Sequence, residues 1–79
     1  MSWLATLLGH PQVKDVEIET VGEITHMHAV LLNDKRVELQ PMGNSIGVVQ
    51  PRGGNRLYNG SEQSFNFCFK VYLEEDVNG

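Results

Sequence analysis

Ser64-Phe65-Asn66-Phe67-Cys68-Phe69-Lys70-Val71-Tyr72-Leu73 is the stretch on which the reading of the fold turns. Phe65, Phe67, Phe69, Val71 and Leu73 alternate with Ser64, Asn66, Cys68, Lys70 and Tyr72, so a two-residue period puts every phenylalanine of the chain on one side. Such a row predicts a strand whose aromatic and β-branched face dominates the core. Just before it, Asn59-Gly60 is the strongest short hairpin signal in the chain, closing a brief arm that carries Leu57 and Tyr58.

Upstream the same period recurs. Residues 45–50 alternate Ile46 and Val48 with Gly47 and Val49, where Gly47 marks a bulge or a close backbone approach. Residues 51–55 follow as a loop, with two adjacent glycines that favour mobility. Residues 35–40 carry Val37 and Leu39 on one side and Arg36, Glu38 and Gln40 on the other, and Pro41, which cannot donate to a ladder, should stop that strand. Asn33-Asp34 reads as a two-residue turn because both types tolerate positive φ. Residues 23–32 are semi-apolar on both faces, as expected of a central strand, and 15–21 alternate Val16, Ile18 and Thr20 with Asp15, Glu17 and Glu19, a strand with one wet face.

Only the start of the chain has a helical period. Trp3, Leu4, Leu7 and Leu8 make one stripe of a two-turn helix, with Ser2 to cap it, Gly9 to end it and Pro11 just beyond. The expected fold is therefore mainly β: a single domain over 1–79, with a helix at 2–9 and a β-meander over 15–74. Five to six short strands are expected to close into a small antiparallel barrel or fold into a sandwich. A flat open sheet is disfavoured, since its long edges would need protection.

The chain has 79 residues, of which 23 are Leu, Ile, Val or Phe, about 29% and above the roughly 20% below which a chain stays disordered. A core of this size contributes only ~3–5 kcal/mol net, which favours a supplement such as a partner subunit. Cys68 is the single cysteine, so no intrachain disulfide can form. The formal net charge of −4 opposes non-specific attraction to nucleic acid or to an anionic membrane. Charge is also segregated: 15–23 hold four acids and no base, while 35–56 hold Lys35, Arg36, Arg52 and Arg56 against Glu38, a distribution that suits pairing between copies. No apolar run reaches a membrane span, and residues 1–9 lack a basic n-region and a long h-region, so the expected location is the cytoplasm.

No serine triad, P-loop, zinc knuckle or dinucleotide fingerprint is present, which ranks a binding module above an enzyme. The expected function is a non-catalytic protein–protein interaction or assembly module, self-associating, most simply as a dimer. Its expected contacts are the stripe of Trp3, Leu4, Leu7 and Leu8, together with Arg52, Arg56 and Tyr58, because aromatic and Arg side chains are the usual interface anchors. Size, acidity and the lack of an enzyme motif broadly resemble small accessory proteins of phages or mobile elements, a likeness of class that no motif carries.

Two alternatives stay open. His26-Met27-His28 would place two imidazoles on one strand face, able to share a divalent transition metal as the ligands of a small metal- or ligand-binding barrel, which could extend to a minimal enzyme, or to make assembly sensitive to pH. A third ligand such as His10, Glu23 or Glu38 cannot be placed from sequence. The pair superficially resembles the His-x-His of the first cupin motif, but Leu32 or Asn33 stands where that motif has Glu and Thr20 where it has Gly, so the assignment is rejected. The other alternative is a nucleic-acid-binding or nucleic-acid-mimicking barrel, in which Arg52, Arg56 and the Gly53-Gly54 amides meet phosphate and Tyr58 stacks on a base. A single RGG makes that weak, and Cys68, with no hydrolase signature around it, reads as a structural thiol.

Overall fold

The computed structural model describes residues 3–74. Five antiparallel strands form one sheet in sequence order: β1 (Val13–Val21), β2 (Ile24–Leu31), β3 (Arg36–Met42), β4 (Ser45–Val49) and β5 (Asn55–Tyr58). Helix α1 (Trp3–Leu8) precedes them and helix α2 (Glu62–Leu73) follows. The fold is mainly β, as expected. The expected closure into a barrel or sandwich is not found: among the described residues there is one sheet, and its outer strands β1 and β5 do not pair.

The expected last strand is helix α2. Its alternating phenylalanines do not share an environment: Phe65 and Phe69 are fully buried, whereas Phe67 is 56% exposed. What recurs instead is Phe65, Cys68, Phe69 and Tyr72, spaced at three, four and seven residues, the stripe a helix turns toward a core. The local start signal is Ser61, whose extended backbone and side-chain oxygen, accepting from the Ser64 N–H at 3.1 Å, form an N-cap. Asn59-Gly60 accordingly feeds a helix and not a hairpin. Asn59 Oδ1 accepts from the Ser61 N–H at 3.0 Å, and Gly60 takes a φ of 99° that a side chain would resist.

Both helices contribute to one core against one face of the sheet. Leu7 of α1 and Phe65, Cys68 and Phe69 of α2 join Met27, Ala29 and Leu31 of β2, Val37 and Leu39 of β3, Ile46 and Val48 of β4 and Tyr58 of β5. Phe65 and Phe69 stack with centroids 4.4 Å apart, and the Tyr58 ring meets both edge-on. The Tyr58 hydroxyl donates to Thr6 Oγ1 at 2.7 Å, which donates in turn to the Trp3 carbonyl at 2.7 Å, so the one polar tip in this cluster is satisfied and ties α1 to β5.

Strand boundaries differ from the alternation in two informative places. β1 starts at Val13 and runs through an irregularity between Val13 and Asp15. β3 does not stop at Pro41, which stays paired with Ile46 of β4. The ladder toward β2 is the one that stops, at Met27↔Leu39, two residues before Pro41. Proline offers no N–H to the neighbouring strand, so β2 parts from β3 there while remaining paired with β1 as far as Val21↔Ile24. The sheet forks. Residues 19–26 become a two-stranded arm beyond the reach of β3.

Gly47 is a close approach and not a bulge: its register is continuous, and an added Cβ would lie 2.8 Å from Met42 Sδ and 3.1 Å from Asn55 Nδ2. The Asn33-Asp34 turn is longer than two residues. β2 ends at Leu31 and β3 begins at Arg36, with Asp34 at φ 67°. The expected cap at Ser2 lies outside the described residues, as does all but Glu74 of the acidic stretch 74–79, which the sequence marks as a fraying tail. No helix among the described residues is long and apolar enough to cross a membrane.

Substitution separates the helix from the alternating strand. Phe69→Ala should cost about 3–5 kcal/mol, most of the stability available to a core this small, whereas Phe67→Ala should cost under about 1 kcal/mol, both read from denaturant midpoints. Equal costs would restore the strand. Burial also pushes the Cys68 thiol up to about 11, with Arg56 opposing it weakly. Alkylation of folded protein at about pH 8 should therefore be far slower than that of the unfolded chain, and stability should fall as pH climbs from the ordinary thiol value toward the raised one.

Candidate functional site

The face of the sheet turned away from the helices is charged. Asp15, Glu17 and Glu19 of β1 stand beside Val30, His28 and His26 of β2 in register, with Arg36 and Glu38 of β3 next to these. Arg36 forks onto the Glu17 carboxylate, Nε to Oε1 at 2.9 Å and Nη2 to Oε2 at 3.3 Å, running diagonally over β2 because Arg36 stands opposite Val30 and Glu17 opposite His28. Those hydrogen bonds hold the Glu17 carboxyl below its usual range, and His28 adds a smaller attraction. Lys14 and Asp34 pair in the same way at 2.7 Å and lower the Asp34 carboxyl. His26 is exposed and His28 half-buried on this face. Among the described residues, no group of three or more His, Cys, Asp or Glu is placed to hold a metal ion, so neither Glu nor the distant His10 completes a set around the pair.

His10 serves the fold. Its ring stacks on Phe65 with centroids 3.6 Å apart, its Nδ1 accepts from the Gln12 N–H at 3.1 Å, and its Nε2 meets Glu62 Oε1 at 2.9 Å. With Nδ1 accepting, Nε2 is the protonated, donating nitrogen.

The expected interface residues separate into three environments. Leu7 and Tyr58 are buried in the core, and Trp3 is packed against it, because an isolated sheet face needs that stripe to cover it. Leu7 and Tyr58 are thus packing residues in this fold and not surface anchors, whereas Trp3 packs on the core and stays partly exposed. Leu4 is half-buried and Leu8 is 55% exposed. Arg52 and Arg56 are brought together where the sequence expected an exposed loop. They line a groove of about 440 Å³ with the Gly53-Gly54 turn, Asn55 and Val71 of α2. Arg56 is fixed there: its Nη1 donates to the Phe67 carbonyl at 2.8 Å and its guanidinium lies 4.3 Å from the Phe67 ring centre. Arg52 is exposed.

A second surface escaped the sequence. The forked arm carries Val21 and Ile24, directly paired at its tip and 60% and 62% exposed; Ile18, 56% exposed, lies at its base on the opposite face, beside Met27. Alternation puts Ile18 in the row of Val16, which packs against the core, but that cover does not reach Ile18; Ile24 falls in the row of His26 and His28, on the face turned away from the helices. Pro41 was the signal, since it marks where β3 stops accompanying β2. Phe67 and Val71, on the outward side of α2, were missed with the helix itself.

Comparison with known proteins finds no match: no family model, no curated protein and no solved structure is significantly similar to this chain.

The Glu17–Arg36 fork makes a directional prediction. Because the folded carboxyl is lowered, its stabilising share is present above the ordinary glutamate value and lost as pH falls through the lowered one. In Arg36→Ala the Glu17 side-chain carboxyl should titrate at higher pH by carbon NMR. An unchanged titration would show that the pair does not persist in solution.

Proposed function

We propose that the chain is a non-catalytic protein–protein interaction module that associates with itself. The observation that supports this reading is the arm: two strands leave the body of the sheet and carry Val21 and Ile24, each more than half exposed, to one end of the molecule. Scattered apolar side chains on a surface are ordinary, but Val21 and Ile24 are directly paired on one face at the tip of the arm, where β3 no longer accompanies β2, and so expose one joint apolar tip. Association buries them and adds to a core that alone is marginal.

The free edge of β1 does not serve the same purpose. Two β1 strands pairing edge to edge would set Asp15, Glu17 and Glu19 of one copy against those of the other, and like charges directly opposite destabilise a ladder. The acidic row instead protects an edge nine residues long. Contacts through side chains of the arm remain.

Light scattering of the intact chain over a dilution series tests the reading. The mean mass should exceed one chain at high concentration and fall toward it on dilution. A mass of one chain up to about 1 mM, where even contacts of millimolar Kd would register, would overturn self-association.

A further inference from the structure

Arm and groove lie at opposite corners. In an antiparallel meander alternate turns fall at alternate ends, so the β1–β2 turn is at one end of the first edge strand and the β4–β5 loop at the other end of the last. The arm of a chain therefore cannot reach its own groove. The two surfaces are nonetheless complementary. Residues 15–34, which make the arm and its base, contain five acids and no Lys or Arg, with Glu19 and Glu23 flanking the exposed Val21 and Ile24. Residues 39–61 contain Arg52 and Arg56 and no acid, and the groove they line has Val71, 41% exposed, on its wall and Phe67 beside it.

We propose that the arm tip of one copy docks in the 50–56 groove of the next, Val21 and Ile24 against Val71 and Phe67, with Glu23 and Glu19 facing Arg52 and Arg56. This rests on the self-association proposed above and names the surfaces that make it. Charge excludes the symmetric alternative, since two arms meeting tip to tip would bring Glu19 and Glu23 of both copies together. Arg56 is already held over Phe67 by its hydrogen bond to the backbone, so little side-chain freedom remains to be lost when an acid arrives. A head-to-tail contact of this kind uses different patches on the two partners and grows into rings or open chains rather than stopping at a two-fold dimer.

Mixing two defective variants tests it. Val21→Thr/Ile24→Thr removes the apolar tip while keeping β-branched residues in the hairpin, and Arg52→Glu/Val71→Gln alters the groove at exposed positions, leaving Arg56 in place. Circular dichroism confirms that each is folded. Each alone should weaken association by about tenfold or more, the scale of 1.4 kcal/mol. Mixed, they should form a one-to-one dimer and nothing larger, because one supplies the intact groove and the other the intact arm. If the parent chain associates but neither variant alters its mass, the arm and groove are not the contact, while self-association itself stands. Two monomeric variants that stay monomeric when mixed would also overturn head-to-tail docking, pointing to a two-fold interface. A parent chain that is monomeric throughout overturns self-association, and the docking with it.

Discussion

The stripe of Phe65, Cys68 and Phe69 against the inner face of the sheet is the contact on which everything else depends. A single five-stranded sheet has two faces, and here one of them is charged from Asp15 across to Glu38 and suits water. The other is lined by Met27, Ala29, Leu31, Val37, Leu39, Ile46 and Val48, which need a second layer. α2 supplies it, and α1 covers the remaining area with Leu7 and Trp3. Without the helix the chain would have had to close its sheet into a barrel to hide the same residues. With it the sheet stays open, and the edges and the fork become surfaces.

Pro41 shapes those surfaces. One missing backbone donor ends the β2–β3 ladder but leaves β3–β4 intact, because proline's defect concerns only the neighbour its N–H would have faced. A hairpin thus leaves the body of the sheet with apolar residues still attached. At the diagonal corner, the β4–β5 loop and the outward side of α2 bring two arginines and Val71 into one groove, with Phe67 under the Arg56 guanidinium beside it. Segregated charge, visible along the chain, becomes segregated charge in space because a meander keeps sequence neighbours adjacent in the sheet.

Much of the sheet was legible beforehand. Val37, Leu39, Ile46 and Val48 point inward as alternation requires, and the strands near 15–21, 23–32, 35–40 and 45–50 all exist within a few residues. The failure at 64–73 has a physical cause. A residue pattern with apolar side chains at 65, 67, 69, 71 and 73 also holds Phe65, Cys68, Phe69 and Tyr72, so it satisfies a two-residue and a 3.6-residue period at once. Cysteine and tyrosine were counted as the wet side of a strand, whereas each is apolar enough to be core. Ser61 broke the tie in favour of the helix, and the Asn59-Gly60 turn before it suits a helix entry as well as a hairpin. Of the expected surface residues, Leu7 and Tyr58 were misplaced for a related reason: large apolar side chains on a short element serve the nearest uncovered face first.

The sequence alone determined the class of the fold, the antiparallel succession of its first five strands, the acidic and basic halves, and the absence of any internal disulfide, because local period, turn chemistry and composition act over a few residues at a time. Only tertiary structure decided that the sheet stays open, which phenylalanines are core, where β2 leaves β3, and that Arg52 and Arg56 share a wall with Val71. Each of these depends on which distant face lies close enough to exclude water, and burial of that kind is a property of the assembled layers that no single segment carries.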